Sequence, residues 1–131
     1  MRFAMALAAS LLFAVSVLAA ECPDQTQSGM NGCAANDFKK ADADLNRAYK
    51  SIIDRIKDEG TLKAKLVDAQ KKWIAFRDAE CAFSAAGQEG GSIYPMIVSG
   101  CLEAVTAART KELQNYLKCE EGVFGCPVPA K

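Results

Sequence analysis

The chain has 131 residues, 50% of them hydrophobic and 24% charged, and its 16 basic and 16 acidic residues cancel. That composition belongs to ordinary globular proteins rather than disordered, collagenous or polytopic membrane chains, and the absence of a basic excess argues against nucleic acid as a partner. There is no histidine, which removes Ser-His-Asp and Cys-His nucleophile pairs, HExxH zinc sites and any side chain that ordinarily titrates near neutrality. Neither an enzyme activity nor a cofactor is expected.

The first segment, Met1 to Ala20, carries Arg2, an apolar run from Phe3 to Leu18 and the small residues Ala19 and Ala20. This is the basic, hydrophobic and cleavage-site order of an export signal. The run falls short of the ~20 residues of a membrane-spanning helix, so no stable membrane anchor is expected once it is removed. Loss of Arg2 with the leader leaves the mature chain one net negative charge. Cys22 follows closely, but Glu21 stands where lipid attachment wants a small residue. The expected product is therefore periplasmic or secreted, with 1–20 as signal peptide, 21–121 as one helical domain and 122–131 as a C-terminal tail.

Helical periodicity organises the rest. Met30, Cys33, Ala34, Phe38, Ala41, Leu45, Tyr49, Ile52 and Ile56 recur at three- and four-residue steps, the stripe of an amphipathic helix. Gly60 is expected to end it and Thr61 to cap the next. A second helix should bury Leu62, Leu66, Ala69, Trp73, Phe76 and Phe83 and stop near Gly87. The loop Gly87-Gln88-Glu89-Gly90-Gly91 leads to Ser92, a natural N-cap, with Pro95 in the first turn of a third helix, where a missing N–H costs little. That helix should run from about Ile93 to Lys118 and bury Ile97, Cys101, Val105, Ala108, Leu113 and Leu117. Gly122, Gly125, Pro127 and Pro129 make the tail non-helical.

Three long helices with short connections must run up, down and up, so an all-α bundle of three antiparallel helices is expected. All six cysteines, Cys22, Cys33, Cys81, Cys101, Cys119 and Cys126, lie in the exported portion, and an even count in a small secreted domain reads as disulfides. With neither C-x-x-C pairs nor histidine, a metal site is not expected. Cys119 falls at one end with Cys126 as its local partner. Cys33, Cys81 and Cys101 share the other end, with Cys22 just outside. A Cys22–Cys33 bridge is disfavoured if Cys33 lies two turns inside the helix. The four should then pair across the helices, and which of Cys22 and Cys33 takes Cys81 or Cys101 stays open.

The densest polar cluster is Trp73-Ile74-Ala75-Phe76-Arg77-Asp78-Ala79-Glu80-Cys81. Asp44 and Asn46 on the first helix, and Thr106 and Arg109 on the third, stand where they could face it. Asn46, Arg77 and Arg109 form either a binding pocket or a structural ion-pair network that fixes helix register. Asp44 and Asp78 are the one candidate acid–base pair.

Several stretches together resemble a known family: Cys33, Ala43-Asp44-Leu45-Asn46-Arg47-Ala48-Tyr49, the block Ala69-Gln70-Lys71-Lys72-Trp73-Ile74-Ala75-Phe76-Arg77-Asp78-Ala79-Glu80-Cys81, then Gly91-Ser92-Ile93-Tyr94-Pro95, and Cys101-Leu102 leading to Thr106 and Arg109-Thr110. From Cys22 to about Leu117 the chain is similar to the DUF1311 family, the LprI-like lysozyme inhibitor domain. The resemblance implies a small, secreted, helical, disulfide-bonded domain. One member, a mycobacterial lipoprotein, inhibits lysozyme; Glu21 departs from its lipidation site.

If this chain inhibits a lysozyme or another peptidoglycan hydrolase, a protruding loop must block a cleft, burying ~800 Å² on each partner. The segment Ala85 to Tyr94, with Glu89, Ser92 and Tyr94, is the candidate. The alternative is a structural or stress-related envelope protein without an enzyme target, in which this loop is a plain connection.

Overall fold

The computed structural model describes residues 22–130; the export signal expected over Met1 to Ala20 lies outside the described residues. Thr26 opens the first helix, α1 (Gln27–Arg55), and its hydroxyl accepts the Gly29 N–H at 3.1 Å, satisfying one of the free donors of a helix start. Gly60 does not end this helix. It is the first residue of α2 (Gly60–Ala85), which starts from Glu59 without a side-chain cap, so Thr61 lies inside it. A 3-10 turn at Ala86–Gln88 follows. The third helix, α3 (Tyr94–Leu117), carries Pro95 in its first turn as expected, but starts from Ile93 rather than Ser92. Its entry is a backbone turn, with Tyr94 N–H bonded to Gly91 O at 3.1 Å and Ile97 N–H to Ile93 O at 3.2 Å. No capping side chain is used.

Asn31 meets Ser92 at one end and Arg55 meets Leu117 at the other, so α1 and α3 run parallel. Cys81–Cys101, Arg77–Thr106 and Gln70–Arg109 pair descending positions of α2 with ascending positions of α3. The expected up-down-up bundle results. The α1–α3 pair is the closest, because Ala34, Ala41, Gly100 and Ala107 line its seam and small residues let backbones approach. Across the wider gap to α1, α2 reaches through long side chains.

Leu45, Ala48, Ile52 and Ile56 of α1 meet Leu113 of α3, with Tyr49, Leu62, Leu66, Trp73, Tyr116 and Leu117 packed around them. The tail completes this core: it is non-helical, yet its Val128 is buried there together with Cys119, just after α3.

The inward face of α2 differs from the apolar reading. It consists of Leu62, Leu66, Gln70, Trp73, Arg77, Cys81 and Ala85, while Phe76 is 58% and Phe83 79% exposed and Ala69 is also exposed. Phe76 sits about 100° around the helix from Arg77. Once Arg77 and Gln70 find partners inside, the phenylalanines must turn out. On α3 the buried positions are Thr106, Thr110 and Leu113, and Ala108 is exposed. Thr110 can sit inside because its hydroxyl donates to the Thr106 carbonyl at 2.9 Å.

The disulfides are Cys22–Cys33, Cys81–Cys101 and Cys119–Cys126. The third matches expectation. The first does not, since Cys22 and Cys33 pair with each other and leave Cys81 to Cys101. Cys33 is indeed well inside α1, but the chain before Thr26 folds back along the helix and brings the two Cα atoms to 6.0 Å. Gly29 makes room for that reversal, because a Cβ there would collide with both the backbone and the side chain of Asp24. Among the described residues no helix is long and apolar enough to cross a membrane.

Candidate functional site

Arg77 is the hub of the polar cluster. Its guanidinium lies 3.5 Å from Asp42 Oδ1 and 2.8 Å from Asp78 Oδ1, and it donates to Thr106 Oγ1 at 3.4 Å. Phe38 and Trp73 each present a ring 5.2 Å from its central carbon. The Trp73 ring also holds Arg109 at 5.9 Å, and Arg109 donates to Gln70 Oε1 at 3.3 Å and Glu112 Oε2 at 2.9 Å. Asn46 joins from α1 by donating to Asp42 Oδ2 at 3.0 Å. Asn46, Arg77 and Arg109 therefore belong to one connected network, linked through Asp42 and Trp73.

Asp44 is not part of it. The carboxylate that faces α2 is Asp42, whereas Asp44 pairs with Arg47 on the surface. With Asp44 committed there and Asp78 to Arg77, the two do not form an acid–base pair. The arrangement can hold helices in register better than it can hold a ligand. Arg77 and Arg109 side chains are only 10% and 13% exposed, and among the described residues no buried side-chain polar atom lacks a partner. A network paired in this way links α1, α2 and α3 to one another through Asp42, Arg77, Thr106, Gln70 and Arg109.

Glu89, Ser92 and Tyr94 form a separate group at the end of the bundle. The connection that carries them is fixed on both sides: Cys81 and Cys101 are bridged beneath it with Cα atoms 5.5 Å apart, and Asn31 Nδ2 donates to the Ser92 carbonyl at 3.0 Å. Within it, Gly91 N–H bonds Gln88 O at 2.9 Å and Glu89 N–H bonds Ala86 O at 3.3 Å. Glu89 and Ser92 are exposed and Tyr94 is half-buried. The structure does not bring this loop together with Asn46, Arg77 and Arg109.

Two surface features escaped the sequence reading. One is a groove of 610 Å³ along the α1–α3 seam, edged by Asp37, Lys40, Asp44, Glu103 and Lys111. Its mixed charges and floor of small residues supply no anchor. The other is the Cys119–Cys126 loop, which presents Val123 and a fully exposed Phe124. Two cysteines closing a short segment, with glycines flanking Val-Phe, were the signal available for it. No group of three or more His, Cys, Asp or Glu side chains able to hold a metal occurs among the described residues.

A family model described as lysozyme inhibitor LprI matches residues 19–113. An uncharacterized protein of Rhizobium meliloti strain 1021 is 36% identical over 107 residues, spanning 73% of this chain and 77% of that protein. A crystal structure of a DUF1311 family protein from Pseudomonas putida KT2440 superposes with a TM-score of 0.62 at 27% identity, covering 72% of this chain and 93% of the other. The fold and the family-like residue blocks thus agree.

Proposed function

Because the chain belongs to the lysozyme inhibitor LprI family, we propose that it is an extracytoplasmic binding protein that inhibits lysozyme-type peptidoglycan hydrolases. The observation that carries this reading is the family match across residues 19–113, which takes in α1, α2 and most of α3. The architecture is compatible with it. Inhibition needs a rigid surface that occupies a cleft without losing much freedom on binding, and a three-helix scaffold with three disulfides holds its loops in place. Nothing in the site calls for catalysis: the polar network is internally paired, and the chain has no histidine to activate a nucleophile.

Two loops are available for the contact. The α2–α3 connection offers Glu89, Ser92 and Tyr94 on a backbone tied to Asn31 and to the Cys81–Cys101 bridge. The Cys119–Cys126 loop lies at the opposite end.

The test is lysis of peptidoglycan-rich cells by a c-type lysozyme, with the oxidised protein titrated in. Dose-dependent protection supports the inhibitor reading. No protection at a many-fold excess, with the helical circular dichroism spectrum intact, rejects it and favours a structural envelope role without an enzyme target.

A further inference from the structure

Turning Phe76 and Phe83 out of the core leaves both rings on one outer face of α2, 58% and 79% exposed. Seven residues apart, they are offset by only about 20° around the helix and about 10 Å along it. Ala69, Lys72 and Glu80 lie on the same face and are also exposed. Two aligned phenylalanines on an uncovered helix face differ from scattered surface hydrophobics, and a patch of this kind marks a contact surface.

The face is its own complement. Lys72 and Glu80 stand four residues before and after Phe76, about 6 Å along the axis in opposite directions and about 40° to opposite sides. Ala69 and Phe83 stand seven residues before and after it, about 10 Å away and about 20° to opposite sides. A two-fold axis through Phe76, perpendicular to α2, therefore sets Lys72 against the partner's Glu80, Ala69 against the partner's Phe83, and Phe76 against its own copy. Such an axis lays the two helices antiparallel and makes every contact twice. Parallel helices would instead oppose lysine to lysine and glutamate to glutamate, an arrangement that like charges penalise.

We propose that this face is where a second copy of the chain docks, forming a closed antiparallel dimer about Phe76. The partner's Phe83 has a place to go. Ala69 lies at the lip of a 270 Å³ recess between the amino half of α2 and the tail, lined by Leu62, Leu66, Pro127 and Val128. A methyl group at that position leaves the recess open to an incoming ring, and interfaces draw much of their energy from aromatic side chains set in pockets. Lys65 and Arg109 also line the recess and can face the ring's π surface. The charges at the flanks are free to pair. Lys72 leans on Asp68 at 2.9 Å, but both side chains are mostly exposed, and an ammonium group has three donors. Among the described residues Glu80 has no ion-pair partner of its own. At their observed exposure the two phenylalanines bring about 270 Å² of surface per copy to the contact. The flanking stems and methyl groups add to it, giving a small interface of the reversible kind. Because each copy contributes both the ring and the recess, the contact closes at two chains and does not propagate.

Analytical ultracentrifugation of the full oxidised protein across the micromolar range reads the association, with circular dichroism confirming that each variant keeps its helices. The unaltered protein should show a concentration-dependent dimer. Phe83→Ser should weaken it at least tenfold, whereas Ile74→Ser, which removes an exposed apolar side chain about 160° around α2 from Phe76, should stay within twofold. Lys72→Glu and Glu80→Lys each set like charges against one another at both flanks, so either variant alone should associate several-fold more weakly. Mixed in equal amounts, the two variants should dimerise as the unaltered protein does, because the exchanged charges then meet in opposite-sign pairs. An unaltered protein that stays monomeric throughout, or a dimer indifferent to Phe83→Ser, overturns the proposal. A mixture that associates no better than its components overturns the two-fold register about Phe76. If the unaltered protein is monomeric and Phe83→Ser instead abolishes inhibition of lysozyme, the face belongs to the hydrolase and not to a second copy.

Discussion

The guanidinium of Arg77 lies over the ring of Trp73, 5.2 Å from its centroid, and the same ring holds Arg109 at 5.9 Å. One half-buried indole thus supports two cations on different helices while packing against the apolar core. Replacing Trp73 with Leu keeps a hydrophobic residue but removes the platform for both. Lost packing and two cation–π contacts should together cost about 2–3 kcal/mol. Urea unfolding followed by circular dichroism checks this, since Trp73 is the only tryptophan and its fluorescence disappears with it. A loss within about 0.5 kcal/mol, the range of ordinary surface changes, would mean that the stack contributes little.

Arg77 tests whether the network matters through charge or through volume. With 8% of its surface exposed, Arg77→Ala leaves a cavity and takes the charge partner from Asp42, Asp78 and Thr106. A cost of about 3 kcal/mol or more is expected. Arg77→Met fills much of the same space, and hydrophobic replacements of buried ions are often well tolerated. Its cost should be about half as large by the same unfolding measurement. Equal losses in the two variants would show that the ion pairs, rather than the packed stem, carry the effect.

Helix number and direction were legible because apolar spacing, Gly and Pro act locally. Ala41, Leu45, Ile52 and Ile56 are buried as their periodicity requires, and Pro95 sits in the first turn of α3. The inward face of α2 was not legible. Hydrophobic periodicity counts Phe76 and Phe83 as interior, and spacing along one helix does not reveal that Asp42, Thr106 and Phe38 surround Arg77 and make it acceptable inside. Asn46, Arg77 and Arg109 could be singled out as a cluster, but choosing Asp42 over Asp44 required the rotation of α1. The Cys22–Cys33 bridge depends on a chain reversal before Thr26, which spacing along a helix does not encode.

The disulfide pairing has a sharp chemical test. No lysine or arginine separates Cys22 from Cys33, Cys81 from Cys101, or Cys119 from Cys126. Trypsin should therefore release three internally bridged peptides from the unreduced protein, each lighter than its reduced form by two hydrogens. Any pairing of Cys22 or Cys33 with Cys81 or Cys101 would instead link two peptides, which mass spectrometry would detect directly. Replacing Cys81 and Cys101 together by Ser should lower stability by about 3 kcal/mol, because their bridge closes the longest loop, and the other two pairs should lose somewhat less.

Acid should loosen the start of α1. Asp24 Oδ1 accepts the Thr26 backbone N–H at 2.9 Å, and this bond, helped by the Thr26 side chain, holds the carboxyl below its ordinary value of 3.8. A lowered carboxyl pKa means the contact is intact above 3.8 and is lost as pH falls from there through the folded value. Asp24 is exposed, so the change stays local. In an NMR titration the Asp24 carboxyl and the Thr26 amide should move together below pH 3.8, and Asp24→Asn should remove the amide's response. A carboxyl titrating at or above that value would contradict the contact.

Val128 shows that the tail is part of the fold although it lies beyond the family-matched segment. It is 4% exposed and packed with Ile52, Ile56 and Leu113, close to Leu62, Leu66 and Tyr116. Val128→Ala should cost about 1–2 kcal/mol through lost burial and the space left behind. Val128→Asp should cost more, since it takes a carboxylate out of water and sets it against Ile52, Ile56 and Leu113. Val123→Ala deletes the same methyl groups at an exposed position and should stay within about 0.5 kcal/mol. Thermal unfolding of the three variants separates the cases. If Val128→Asp melts with the parent protein, the tail does not cover the core in solution, and the base of the Cys119–Cys126 loop is not fixed by it.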